Sequence, residues 1–133
     1  MITRLAHICL HVNNMERTIE FYRDGLGFPM AFTFRKDGEL KGAYFDVGGQ
    51  SFLEVFELPE PAGITHFCLE CDDLDAFIAA ATAKGIACTP KQFGGCRTWQ
   101  TWLHDPDGNA FEIHQYTEQS MQFHGGECEI TWR

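Results

Sequence analysis

Two histidines and two glutamates recur at matching places in the two halves of this 133-residue chain. His7 begins "HICLH" and His66 begins "HFCLE", while Glu54 stands in "FLEVFEL" and Glu112 in "AFEIHQY". Each residue alone would be explained as an ordinary solvated or hydrogen-bonded side chain, but a matched pair of each type favours a shared role. Imidazole and carboxylate together suit Zn, Ni, Co, Fe or Mn better than Ca or Mg. The four residues therefore predict one divalent transition-metal site.

These pairs belong to an internal repeat of one βαβββ unit. Each unit opens with a strand that ends in Asn or Asp, and these residue types cap helices well. A helix follows, at 15–24 and 74–84, and ends near a glycine. The strands are predicted at 5–12, 29–36, 41–47 and 51–58 in the first unit and at 64–71, 86–92, 98–104 and 109–116 in the second. The pattern predicts an α+β fold with a mostly antiparallel sheet.

The repeat also predicts how the chain is divided. Residues 1–133 form a single domain, in which 1–58 is the first module, 59–63 a proline-bearing linker and 64–117 the second module. Residues 118–133 form a C-terminal tail outside the repeat. There "CEITWR" alternates apolar and polar residues, which predicts an extra strand that covers a sheet edge or packs on a partner.

Alternation along the strands places the four residues on one face of the sheet. Ile8 and Leu10 suit packing on the helix, so the residues between them face the other way. Cys68 and Cys71 form a CxxC motif, but their odd spacing turns them to opposite faces, which argues against a shared ion. The face turned away from the helices carries His7, Cys9, His11, Phe52, Glu54, Phe56, His66, Cys68, Glu70, Ala110, Glu112 and His114.

Composition narrows the possible partners. Ten Lys and Arg against nineteen Asp and Glu give a net charge of −9, which disfavours nucleic acid and anionic membranes. The N-terminus lacks the apolar segment of a signal peptide, and no apolar run is long enough to span a bilayer. Six cysteines without a secretory signal favour a reducing compartment. We therefore expect a cytoplasmic protein that acts on a small molecule.

Five stretches resemble the vicinal oxygen chelate superfamily, which includes glyoxalase I, fosfomycin and bleomycin resistance proteins, methylmalonyl-CoA epimerase and extradiol dioxygenases. They are "AHICLHV", "TIEFYRDGLGF", "FLEVFEL", "THFCLECDDLDAF" and "DPDGNAFEI", within residues 5–116. The resemblance implies two tandem βαβββ modules whose mixed sheet curls around a metal funnel, with the helices outside. It also implies that His7, Glu54, His66 and Glu112 are the metal ligands, as in glyoxalase I of bacterial type.

The resemblance further implies a divalent-metal-dependent isomerase or lyase of the glyoxalase I (lactoylglutathione lyase) type. The metal would bind two vicinal oxygens of the substrate and stabilise an enediolate while a glutamate moves the proton. Glu112 is the implied base and Glu54 its counterpart, although the internal symmetry leaves their roles open. Two alternatives remain: a non-haem iron dioxygenase, and a metal-free drug-binding resistance protein.

Substrate contacts are predicted from the inward-facing positions and from the family pattern. Glyoxalase I carries an arginine and an asparagine that help bind glutathione where this chain has His11 and Leu58, so the substrate is left open. Family members are often homodimers, and the resemblance implies one here. The predicted substrate-binding residues are His11, Cys9, Phe52, Phe56, Cys68, Arg97, Gln100, Trp102 and His114.

Overall fold

A nine-stranded mixed sheet with short helices makes up the computed structural model, which describes residues 1–132. The first module contains β1 (Ile2–Val12), α1 (Met15–Ile19), β2 (Met30–Lys36), β3 (Glu39–Gly48) and β4 (Ser51–Glu57). The second contains β5 (Gly63–Cys71), α2 (Leu74–Ala83), β6 (Gln92–Phe93), β7 (Trp99–His104) and β8 (Ala110–Gln115). The tail contributes α3 (Met121–His124) and β9 (Glu127–Glu129).

The two modules share one sheet, in the order β6-β7-β8-β5-β1-β4-β3-β2-β9. Its centre is the antiparallel pair of β1 and β5, the first strands of the two modules. Each of these also pairs in parallel with the last strand of its own module, β1 with β4 and β5 with β8. The predicted fold class, two βαβββ modules in a curled mixed sheet, is confirmed. This topology places all four strands that carry the repeated His and Glu side by side.

Each helix is anchored at its first turn by the strand that closes its module. The side chains of Asn14 and Asp73 cap α1 and α2 by accepting a backbone N–H. The first N–H of α1 donates to Glu57 Oε2 at 2.6 Å, and the first N–H of α2 donates to Gln115 Oε1 at 2.8 Å. The helices are therefore held against the outer face of the sheet at matching places in both modules.

Apolar side chains cover both faces of the first module. On the helix side, Met15 and Ile19 of α1 pack with Phe45 and Val55 of the sheet. The inner face carries an aromatic cluster that includes Phe32, Phe34, Tyr44, Phe52 and Phe56. No helix within residues 1–132 combines the length and apolarity needed to cross a bilayer.

Two predicted elements differ from the structure. The first helix is α-helical only to Ile19 and continues as a π-helical turn over Glu20–Gly25. The strand predicted at 86–92 is wrong apart from its last residue, because β6 spans only Gln92–Phe93. Pro90 has no backbone N–H to donate to a neighbouring strand, and Thr89 joins β7 through a single backbone bond, from its N–H to the Trp102 carbonyl at 3.0 Å.

The tail connects the two ends of the sheet. It contains the strand β9, which shares only Cys128 and Glu129 with the predicted segment and pairs in parallel with β2. The N–H of Met121 donates to the Cys96 carbonyl at 3.0 Å, so the tail also reaches the turn between β6 and β7. Cys96 Sγ lies 3.9 Å from Cys128 Sγ at this junction. Arg133, the last residue of the predicted tail, lies outside the described residues.

Gly42 of β3 provides a test of inner-face packing. A Cβ at this position would stand 2.7 Å from Phe56 Cδ1 and 2.7 Å from the Val55 carbonyl oxygen, which is fixed in the sheet. We expect Gly42→Ala to lower the free energy of unfolding by about 1–3 kcal/mol in urea denaturation. Gly25→Ala is the matched control, since its Cβ would meet nothing closer than 3.5 Å. Equal denaturation midpoints for the two variants would contradict this account.

Candidate metal centre

Two short rows of side chains cross the inner face of the four central strands. The first row is Glu54, Cys9 and His66, and the second is His7, Cys68 and Glu112. In each row a cysteine on one central strand stands between a glutamate and a histidine on its two neighbours. The antiparallel pairing of β1 with β5 sets the rows next to each other. The histidines and glutamates of both modules therefore converge on one point.

Each histidine Nε2 lies at ligand spacing from an oxygen of both glutamates. His7 Nε2 is 3.1 Å from Glu112 Oε2, 3.5 Å from Glu54 Oε1 and 3.5 Å from His66 Nε2. His66 Nε2 is 3.4 Å from Glu112 Oε2 and 3.7 Å from Glu54 Oε1. Tetrahedral N and O ligands at zinc distances stand roughly 3.4 Å apart. The residues present therefore fit a divalent transition metal held by two imidazoles and two carboxylates.

A hydroxyl group supports each imidazole from behind. The hydroxyl of Tyr44 lies 2.5 Å from Nδ1 of His7, and Thr65 Oγ1 lies 3.0 Å from Nδ1 of His66. The Thr65 hydroxyl donates to the Cys9 carbonyl, so its oxygen is available to accept from Nδ1. An imidazole that donates from Nδ1 presents the lone pair of Nε2 to the cluster, the form that binds metals.

Burial and charge point to a cation at the same place. Glu54 is 8% exposed and Glu112 is 7% exposed. Burial opposes ionisation of Glu112, but the neighbouring imidazoles of His114, His66 and His7 outweigh it and hold the pKa of this carboxyl well below its usual range. Two ionised carboxylates in a buried site are costly unless a positive charge compensates them. A divalent ion would neutralise both.

Two thiols border the ligand cluster. Cys9 lies with Glu54 and His66, and the ligand atoms of Cys68, His7 and His114 lie within 4.8 Å of one another. Burial raises the pKa of the Cys9 thiol and of the Cys68 thiol far above the usual range. The thiols therefore stay protonated, and the oxygen and nitrogen set is the better match for a hard or borderline ion.

A cavity of about 570 Å³ opens in front of these donors. Glu54, His66 and Glu112 line it, whereas His7 is fully buried behind them. The predicted substrate-binding residues that also line the cavity are Cys9, His11, Phe56, Gln100, Trp102 and His114. Contact between these six side chains and a substrate stays a prediction.

The other three predicted substrate-binding residues lie outside the cavity wall. Phe52 is buried in the aromatic cluster, 5.4 Å from the Tyr44 ring centroid. Cys68 is fully buried beneath the donors. Arg97 is exposed at a turn where its backbone has a φ of 62°, and its carbonyl accepts the hydroxyls of Thr117 and Ser120. Facing inward on a strand is therefore not sufficient to reach the cavity.

Several residues of the site were not predicted from the sequence. Tyr44 stands directly opposite Glu54 in the sheet, as Trp102 stands opposite Glu112. The internal repeat pairs these two positions, and that signal could have identified Tyr44. The C-terminal tail also forms one wall of the cavity. No repeat in the sequence predicts this wall, because its position depends on the curl of the sheet. That wall consists of Cys128, Glu129, Ile130, Thr131 and Trp132.

The fold and the donor set together define a class, that of proteins in which paired βαβββ modules hold two histidines and two glutamates at their centre. Residues 4–113 match the family described as Glyoxalase/Bleomycin resistance protein/Dioxygenase superfamily. This match covers most of the chain, and the chain belongs to this superfamily.

Relatives and solved structures agree with this membership. The chain is 28% identical to a probable lactoylglutathione lyase of Vibrio parahaemolyticus, covering 92% of this chain and 97% of that one. It is 29% identical to a probable chloroplastic lactoylglutathione lyase of Arabidopsis thaliana, over 83% of this chain and 35% of that protein. The chain thus spans less than half the length of the plant relatives it matches. The crystal structure of methylmalonyl-CoA epimerase from Mycobacterium tuberculosis shares the fold, with a TM-score of 0.76, 20% identity and coverage of 89% and 91% of the two chains.

Removing the Tyr44 hydroxyl tests the support behind His7. We expect Tyr44→Phe to weaken zinc or nickel binding by about 10- to 100-fold, because the hydrogen bond that orients the imidazole is lost. The measurement is competition with a chromophoric chelator. Tyr116→Phe removes a buried hydroxyl that makes no hydrogen bond to any described residue, and it should leave affinity unchanged. An equal loss in both variants would assign the effect to packing.

Metal affinity should also depend on pH. Burial alone would lower the pKa of His66, but the carboxylate of Glu112 and the charge of Glu54 outweigh burial and raise it above its ordinary value. A metal ion must displace this proton, so affinity should rise by about tenfold per pH unit below the His66 pKa and level off above it. Chelator competition between pH 6 and 8 measures the slope, with exposed His104→Gln as control. A flat profile over this range is the contrary result.

Proposed function

We propose that the chain is a divalent-metal-dependent isomerase or lyase of the glyoxalase type, acting on a small molecule with two adjacent oxygens. The observation that carries this proposal is a set of four side chains from four strands, in which Nε2 of each histidine lies 3.1 to 3.7 Å from an oxygen of each glutamate. All four come from one chain, so the site needs no residue from a second copy. A homodimer stays a prediction.

The proposed mechanism gives each residue of the site a separate role. A divalent ion held there would supply Lewis acidity toward two neighbouring substrate oxygens. His7 and His66 are fixed by hydroxyl groups at Nδ1 and serve as rigid donors. Glu112 is the proposed base that takes the proton from the carbon beside the carbonyl, with Glu54 as its counterpart. Glu112 engages both oxygens, Oε2 toward His7 and His66 and Oε1 toward His114 at 3.5 Å.

The relatives named lactoylglutathione lyase support the reaction type. The presence of Glu54 beside the other three donors argues against the iron dioxygenase, which needs open coordination positions for both substrate and oxygen. A metal-free binding protein would have no reason to bury two carboxylates against two imidazoles. The isomerase or lyase therefore accounts best for the whole donor set.

A proton-exchange assay run across several thiols tests the proposal. Protein loaded with nickel, zinc or cobalt should isomerise hemithioacetals of methylglyoxal formed with at least one of these thiols, and NMR in D₂O should follow the proton on the reacting carbon. At verified metal content, Glu112→Gln should lower kcat by at least about 100-fold, since the base is removed. Glu118→Gln, at an exposed position, should have no effect.

Two results would contradict the proposal, and a third would change the assignment of the base. Activity that survives chelation would remove the metal from the mechanism. Oxygen uptake by the iron-loaded protein with a catechol, without proton exchange for any thiol, would favour the dioxygenase. An unchanged kcat in Glu112→Gln would transfer the base to another residue, with Glu54→Gln as the next variant to measure.

A further inference from the structure

The walls of the cavity are aromatic and apolar around the donor cluster. Phe34, Phe56, Phe93, Trp102 and Trp132 all line it. The Trp132 ring meets Phe56 edge-on with centroids 5.1 Å apart, and the Trp102 ring packs on His66 at 4.8 Å. A substrate that reaches the donors must therefore lie against ring faces and edges.

None of the described residues that line the cavity is a lysine or an arginine. Two cations near its walls are paired elsewhere: Arg35 Nε with Glu127 Oε1 at 2.8 Å, and Lys91 Nζ with Asp75 Oδ2 at 2.8 Å. Arg97 is exposed, away from the cavity wall. The polar side chains on the wall include the neutral amide of Gln100.

The acidic side chains near the cavity provide no positive charge that could bind a substrate anion. Glu129 lines the cavity, and its carboxylate accepts the N–H of Asp37 at 3.1 Å. His11, at the wall, stands 4.0 Å from Glu60 through Nδ1 and Oε2. A divalent ion at the donors would be balanced by Glu54 and Glu112, and no lysine or arginine among the described lining residues adds positive charge for a substrate anion.

An anionic substituent would therefore enter this cavity without a counter-charge. Holding a carboxylate or phosphate among aromatic walls costs free energy that only a nearby cation returns. The net charge of −9 adds long-range repulsion. An uncharged part of a substrate packs on the same walls without this cost in free energy. A cationic group is stabilised by the faces of the aromatic rings.

We infer that the substrate is an uncharged or cationic molecule with an aromatic or bulky apolar body beside its two adjacent oxygens, and not a conjugate of an anionic thiol such as glutathione or coenzyme A. This inference rests on the proposed function, because it places the two oxygens at the donor cluster. The inferred substrate therefore differs from the glutathione and coenzyme A conjugates in the names of the similar proteins.

Three catechols of similar size test the charge preference by binding alone. They are 4-methylcatechol, which is neutral, dopamine, which is cationic, and 3,4-dihydroxybenzoate, which is anionic. Zinc-loaded protein is titrated with each by calorimetry, since zinc does not oxidise catechols. We expect the first two to bind at least about tenfold more tightly than the anion. Equal or tighter binding of 3,4-dihydroxybenzoate overturns the inference.

A charge placed on the wall should change the preference. Gln100→Lys puts a cation in the cavity and should strengthen binding of 3,4-dihydroxybenzoate by about tenfold. Gln119→Lys makes the same change at an exposed position and should leave all three affinities unchanged. Equal gains in both variants would assign the preference to net charge and overturn the role of the wall. Failure of all three catechols to bind the zinc form better than the metal-free form overturns the proposed function itself.

Discussion

Two buried carboxylates at the centre of the sheet are the constraint on which the rest of the structure depends. Glu54 and Glu112 lose most of their hydration on folding, and such groups are retained only where positive charge or strong donors compensate them. A divalent ion between all four groups would supply that charge. The strand pairing and the supporting hydroxyls all act to hold these donors in register.

The two modules contribute the same residue types to the donor set, one histidine and one glutamate each. At other equivalent positions their side chains differ, and these differences shape the cavity. Tyr44 and Trp102 hold equivalent positions opposite the two glutamates. Tyr44 is fully buried and hydrogen-bonds to His7, while Trp102 lines the cavity and packs on His66. Tyr44 therefore closes the sheet behind His7, whereas Trp102 forms part of the wall of a cavity that residues of both modules line.

The C-terminal tail also contributes to this cavity. It adds β9 to one end of the sheet, reaches the β6–β7 turn at the other, and supplies one wall of the cavity. The described residues of this wall include Ile130 and Trp132 and no basic side chain, which supports the inferred preference for substrates without a negative charge. Membership of the superfamily accounts for the donors, whereas the tail and the wall of β7 bear on which molecule reaches them.

The sequence by itself determined the repeat and the α+β fold class, because strand periodicity and matched spacing are local properties that survive in any arrangement of the modules. It also singled out His7, Glu54, His66 and Glu112 as candidate metal ligands, and that role stays a prediction. It also indicated the tail strand. Only the tertiary structure decided that Tyr44 supports His7, that Arg97 turns outward and that the tail forms a cavity wall. These features depend on strand register and on the curl of the sheet, which join residues far apart in the chain and which no local pattern specifies.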